Sequence, residues 1–350
     1  MTTIDRNQKT HAGNFFEDFN IGQVIHHTTP KTITVGDTAL YSAIYGSRFI
    51  LQSSEPFAKN LGYAQMPVDD LLVFHIVFGK SVPDISLNAV ANLGYAEGIF
   101  GVPVYTGDTL SARSEVIGLK QNSNGKTGVV YVRTTGCNQH GEIVLRYVRW
   151  VMVNKFDANS PAPDIMIPTL KSAISADTLI IPPGIDIAKY DTTVAGSPHY
   201  WDAYQVGDTI DHIDGITIEE AEHMTATRLY QNTARVHFNQ HVADNNRFSR
   251  RLIYGGHIIS LARALSFNGL GNAFHIAAIN GGRHISPTFA GDTLYAGSQI
   301  IDKAYISRHS DIGAIRMQLT AAKNKPISQL SEDDLDCVLE FDIWVLLPKK

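Results

Sequence analysis

Phe100-Gly-Val-Pro-Val-Tyr-Thr-Gly-Asp-Thr-Leu110 and His284-Ile-Ser-Pro-Thr-Phe-Ala-Gly-Asp-Thr-Leu294 are two versions of one pattern, 184 residues apart, with Gly-Asp-Thr-Leu unchanged. Three further matches run in nearly the same register. Phe16-Glu-Asp-Phe-Asn-Ile-Gly22 recurs as Trp201-Asp-Ala-Tyr-Gln-Val-Gly207, and Thr32-Ile-Thr-Val35 more loosely as Thr217-Ile-Glu-Glu220, each 185 residues on. The strand-like endings Val144-Leu-Arg-Tyr-Val-Arg-Trp150 and Val338-Leu-Glu-Phe-Asp-Ile-Trp344 lie 194 residues apart, so the second half carries nine or ten extra residues. These fall in the polar stretch 324–336, whose Ser-Glu-Asp-Asp run reads as a solvated loop. Chance similarity between turns explains one such match, not four in register, and a duplication fixes domain boundaries without recourse to composition.

The chain therefore reads as two tandem copies of one unit, 14–155 and 191–350. Between them, 156–190 holds Pro161, Pro163, Pro168, Pro182 and Pro183, a composition suited to an extended crossover. Each half has the same plan. A helix is expected at about 36–45 and 219–230, a strongly apolar helix at about 68–80 and 256–268, and then several β-branched strands such as 127–133 and 314–319. Val68 to Phe78 and His257 to Leu265 are apolar around most of the circumference, as a buried helix is. A buried helix beside an antiparallel sheet, twice over, is an α+β architecture.

Charge and cysteines narrow the class. With 29 Lys and Arg against 34 Asp and Glu, the net charge of −5 offers no basic stripe for nucleic acid. Two cysteines, Cys137 and Cys337, are too few for a disulfide framework or a cysteine zinc site, and fit a reducing cytoplasm. The polar start Met1-Thr-Thr-Ile-Asp-Arg has no signal-peptide core, and no run reaches the roughly 18 apolar residues of a membrane span. No Gly-rich nucleotide loop and no metal-spaced cluster is present, so neither metal nor redox cofactor is expected.

The candidate chemistry sits in Tyr230-Gln-Asn-Thr-Ala-Arg-Val-His237 and, seventeen residues on, Tyr254-Gly-Gly-His257 at the head of the second apolar helix. His237 can carry a proton near neutral pH. The unpaired amides at a helix start can face a developing oxyanion, and Gly256, lacking a Cβ, permits close approach. Asn232 can orient water, or it can simply cap the preceding helix; a carboxamide cannot serve as a base. Asp244 is the nearest carboxylate in sequence that could assist His237. Arg235 is suited to a substrate carboxylate, while Arg247, Arg250 and Arg251 suit solvent or phosphate. His241 reads as solvated, His257 as packing at the helix start, and Asp69-Asp70 as the cap of the first buried helix.

On these stretches the chain resembles the MaoC-like hydratases of the hotdog fold. The resemblance implies a double hotdog, in which each half is a curved antiparallel sheet wrapped around a long central helix. It also implies a hydro-lyase acting on an acyl-CoA thioester, with CoA as part of the substrate and no separate cofactor. Stretch 230–237 takes the place of the family's Gly-Asp-x-Asn-Pro-(Ile/Leu)-His, so His237 falls on the catalytic His and Asn232 on the catalytic Asp. Gly256 falls on the glycine whose amide faces the thioester oxygen. Ala234 and Arg235 depart from the motif. The Tyr-Gln-Asn-Thr-Ala-x-Val-His version is similar to the subgroup acting on a C4-dicarboxylyl-type thioester, mesaconyl-CoA or β-methylmalyl-CoA. Ser47 and Gln52 stand at the corresponding places of the first half, which implies one site per chain, in the second half. A homo-oligomer, a dimer, is expected.

Overall fold

The structure is a computed structural model that describes residues 9–245, 248–331 and 334–350. Its first half runs β1 (Val24–Thr32), α1 (Val35–Tyr45), α2 (Asp70–Ser81), β2 (Ala89–Phe100), β3 (Thr109–Gln121), β4 (Thr127–Cys137) and β5 (Ile143–Asn154). The second repeats it as β6 (Thr209–Thr217), α3 (Glu220–Leu229), α4 (Gly255–Leu265), β7 (His275–His284), β8 (Thr293–Ile306), β9 (His309–Lys323) and β10 (Cys337–Pro348). All ten strands join in one antiparallel sheet, ordered β1-β3-β4-β5-β2-β7-β10-β9-β8-β6. This is the α+β double hotdog that the sequence led us to expect.

The repeat explains the join. Strands β2 and β7 pair with Ala96 opposite Gly281, residues 185 apart and hence equivalent in the two copies, so a local twofold passes between them. On the same axis the hydroxyls of Tyr45 and Tyr230 meet at 2.6 Å, and His75 Nε2 meets Ser260 Oγ at 2.8 Å; both pairs are again 185 residues apart. The Gly-Asp-Thr-Leu pattern has a local cause. Gly107 and Gly291 hold φ of +101° and +94°, which favours glycine, and Asp108 and Asp292 accept the amides of Tyr105 and Phe289 to close the same turn before β3 and β8.

Helix α2 is buried from Leu71 to Ser81, and Asp69 caps it by accepting the Leu71 amide at 2.9 Å. Helix α4 stops at Leu265, three residues short of the expected end, because Asn268 (ψ 99°) and Gly269 (φ 107°) leave helical geometry. The crossover 156–190 contains two short 3₁₀ turns, Ala176–Thr178 and Ile187–Lys189, and a single antiparallel bridge from Met166 to Leu119 of β3. Ile174, Leu179 and Ile187 pack with Phe274 and Trp344 of the second half. Beyond β9, a turn at Ile327–Gln329 and an ion pair between Lys325 and Asp334 order the extra residues. Glu332 and Asp333 of the acidic run lie outside the described residues. Both cysteines are free thiols. No helix among the described residues is long and apolar enough to cross a membrane.

Candidate active site

Strands and helices of both halves enclose a cleft of about 760 Å³. Asn232, Arg235, His237 and Gly255 line it from the second half, and Phe78, Asn92, Tyr95 and Arg149 from the first. Among the described residues no carboxylate lines it, and its cations are the two arginines. The corresponding place in the first half, where Gln52, Asp70 and Phe100 stand for His237, Gly255 and His284, holds a cavity of only about 20 Å³. Asp70 holds His275 at 3.0 Å there, and Pro182 of the crossover lies against it.

The motif loop is placed by a close approach. A Cβ at Gly79 of α2 would lie 2.0 Å from the carbonyl oxygen of Tyr230 and 3.4 Å from the amide of Asn232. Lys80 beside it donates to Gln231 Oε1. Gly79→Ala is therefore expected to push the loop 230–232 outward. The variant should lose about 1–3 kcal/mol of stability and about tenfold or more in kcat, read by denaturant melts and steady-state kinetics. Unchanged kcat would show that the loop tolerates displacement.

Asn232 is buried, with Oδ1 accepting the Ala234 amide at 3.1 Å and Nδ2 without a partner. The acceptor role fixes the orientation of the amide, leaving Nδ2 as a spare donor. After Ala234 a single turn, Arg235–Phe238, presents His237. Its Nδ1–H donates to the Leu252 carbonyl at 2.8 Å, so Nε2 keeps its lone pair. Burial pushes the imidazole down to about 4, against the opposing pull of the Leu252 carbonyl, and His237 is neutral at pH 7.

The start of α4 supplies donors. Neither the Gly255 nor the Gly256 amide has a partner among the described residues, and they lie at the positive end of the helix dipole. Gly255 lines the cleft; the α-carbon of Gly256 faces inward, where a Cβ would meet the rings of Tyr254 and His75 at 2.4 and 2.6 Å. Both glycines are needed for close packing, since a Cβ at Gly255 would meet the His284 ring at 2.3 Å.

Arg235 lines the cleft, with its guanidinium donating to Asn88 Oδ1 at 3.2 Å and the Ala12 carbonyl at 3.3 Å. Asp244 is exposed, bonded to Gln240, and absent from the described cleft wall, so it stands apart from His237. Arg251 pairs with Glu220 at 2.5 Å and Arg250 stacks over Phe289, whereas Arg247 lies outside the described residues. His257 is fully buried, its Nδ1 on the Tyr45 hydroxyl at 2.9 Å.

Three residues in or beside the cleft were not foreseen from the sequence. His284 lines the cleft with Nε2 3.2 Å from the Tyr95 hydroxyl, and its signal was the one place where the opening repeat swaps an aromatic Phe100 for a histidine. His223 accepts the Tyr254 amide at 2.9 Å and lies 6.0 Å from the His237 ring. Arg149 is a charge inside an apolar strand, at the place taken by Ile343 in the other copy.

Comparison with known proteins gives the family. A family profile described as mesaconyl-CoA hydratase matches residues 1–168. The β-methylmalyl-CoA dehydratase of Chloroflexus aurantiacus is 59% identical over 348 residues, 98% of this chain and 99% of that protein. The mesaconyl-CoA hydratase of Cereibacter sphaeroides is 55% identical over 346 residues, 97% of this chain and 100% of that protein. The crystal structure of a MaoC domain protein dehydratase from Chloroflexus aurantiacus superposes with a TM-score of 0.96 at 59% identity, over 98% of this chain and 99% of that one. With such identity sustained across both halves, the chain belongs to the mesaconyl-CoA hydratase family of MaoC-like double hotdog enzymes.

Proposed function

We propose that the protein is a hydro-lyase that interconverts mesaconyl-CoA and β-methylmalyl-CoA, at one site per chain in the second half. The observation that carries the chemistry is a neutral imidazole, held in one tautomer by Leu252, in a cleft that no carboxylate lines among the described residues and that Gly255, whose helix-start amide has no partner among them, does line. Kinship with the two enzymes supports the substrate.

In hydration, His237 Nε2 takes a proton from water as its oxygen adds to Cβ of the enoyl thioester. The electron pair moves to the thioester oxygen, where the Gly256 amide, with that of Gly255, receives the enolate. The imidazolium then returns its proton to Cα. One imidazole serving both atoms delivers oxygen and proton to the same face. Asn232 Nδ2 donates to the water or hydroxyl oxygen and so aims it. Asn232→Ala is expected to lower kcat about 10- to 100-fold, the worth of one well-aimed hydrogen bond. Full kcat in that variant would remove Asn232 from the mechanism.

CoA is part of the substrate, and no further cofactor belongs to this reading. A cytoplasmic homodimer completes it. The deciding experiment offers purified protein mesaconyl-CoA and crotonyl-CoA and follows the ultraviolet enoyl-thioester band. Loss of the band with mesaconyl-CoA is the expected result. Turnover of crotonyl-CoA alone would make it a general (R)-specific enoyl-CoA hydratase, release of free thiol a thioesterase, and binding without turnover a non-catalytic acyl-CoA protein.

A further inference from the structure

Arg149 has 0% exposure and no ion pair among the described residues, although it carries a guanidinium at the cleft wall. A buried cation is expensive unless an anion meets it. None of the carboxylates among the described residues does so: the ionisable groups around Arg149 are the phenols of Tyr147, Tyr95 and Tyr254, and its plane lies 4.2 Å over the Phe78 ring. One Nη donates to Ser81 Oγ at 2.8 Å. The two contacts to Ser86 Oγ, both 3.4 Å, are at the weak limit of a hydrogen bond, and Nε has no partner. Beside it, Asn92 also lines the cleft, with both amide atoms buried and unpaired. Three buried polar atoms without partners and one cation that no carboxylate meets among the described residues thus belong to two residues of the same cleft wall.

We propose that Arg149, with Asn92, receives the free carboxylate of the substrate, the contact that makes the site selective for a dicarboxylyl thioester; this rests on the function proposed above. The Ser86 hydroxyl yields its two long contacts at little cost, which opens both Nη groups to a carboxylate in the fork geometry arginine favours. Asn92 Nδ2 adds a donor. The assignment moves the carboxylate from Arg235, whose guanidinium is engaged by Asn88 and Ala12, to a residue of the other half. It gives the first half, which has no working site, a direct part in specificity. Phe78 ties the two ends together: it lies under Arg149 and 5.5 Å from Tyr254, whose ring is in turn 5.5 Å from His237.

The test compares binding of succinyl-CoA and butyryl-CoA, which the enzyme cannot hydrate, by calorimetry on the full-length protein and its variants. Arg149→Gln is expected to weaken succinyl-CoA about 100-fold or more while leaving butyryl-CoA within about threefold. Equal weakening of both, or of neither, overturns the proposal. Should Arg149→Gln fail to fold, Asn92→Leu decides, with a selective loss of about tenfold for succinyl-CoA expected and an equal effect on both thioesters overturning it. Arg235→Leu is expected to act alike on the two; a selective loss there, with none at Arg149, returns the carboxylate to Arg235 and also overturns the proposal. Wild-type protein that binds both thioesters but never turns over mesaconyl-CoA would sink the functional reading. Turnover of mesaconyl-CoA with an unselective Arg149→Gln would sink only this one.

Discussion

Replacing His237 with Gln should lower kcat about 10²- to 10⁴-fold while the protein stays folded, because proton transfer by a positioned side chain is worth about that much. The large effect follows from isolation. No carboxylate among the described residues reaches the cleft, Asp244 is on the surface, and Asn232 cannot hold a proton. Gln is the useful substitute, since its amide can keep the hydrogen bond to the Leu252 carbonyl and lacks only the basic nitrogen. The pH dependence carries a second signature. The acid limb of kcat/KM reports the free enzyme, in which His237 is pushed down to about 4, and that of kcat reports the bound state. An anionic substrate raises the imidazole by attraction, so the limb for kcat is expected to lie at higher pH. Residual activity above about a tenth of wild type would show that another group, with His284 first in line, can carry the proton.

The architecture was legible because it is written twice. A glycine that must hold positive φ and an aspartate that must close its turn leave the same four letters at both sites, and these set the register from which the helices and strands followed. That His237 lines the cleft agrees with its place in the motif the chain resembles, and the repeat adds that the first copy has Gln52 there, so the two halves differ at this position. What stayed hidden was whatever depends on contact between the halves. Nothing in the pattern around Gly79 says that it touches Tyr230 across the interface, and nothing around Arg149 says that it lines a cleft to which the other half brings His237. Such pairings are set by the β2–β7 junction, which no local periodicity encodes.

The junction also gives the duplication a chemical purpose. A hotdog half buries its helix against its own sheet, but the head of α4 faces α2 and the start of β2 from the partner half. At the corresponding place in the first half, Phe100, Asp70, His275 and Pro182 line a cavity of only about 20 Å³. The cleft of the second half is open, and the first half supplies part of its wall. Substitutions near the collapsed site should thus alter stability, whereas first-half residues such as Phe78, Asn92 and Arg149 alter turnover and selectivity.

The second large effect is on stability in acid. Six histidines, at 75, 212, 223, 237, 257 and 284, are pushed down by burial, five of them to between about 2 and 4 and His75 well below its ordinary value. Unfolded, each titrates near 6.5. Below that pH the unfolded chain therefore binds protons that the native state refuses, and stability falls as pH falls, from about 6.5 down to the folded values. At pH 5.5 the effect is about 1–1.5 kcal/mol for each histidine that stays neutral in the fold, or roughly 8 kcal/mol for six, comparable with the whole stability of a typical domain. Asp69, raised to about 6 chiefly by burial, works the other way by taking a proton in the native state, but it is one group against six. Denaturant melts from pH 7.5 to 5.5 should show the midpoint collapsing well before the carboxylates titrate, with about five protons taken up per molecule on unfolding near pH 5.5. Fewer than two would mean that water reaches these imidazoles, and with them the imidazole of His237, which would then titrate near neutral pH.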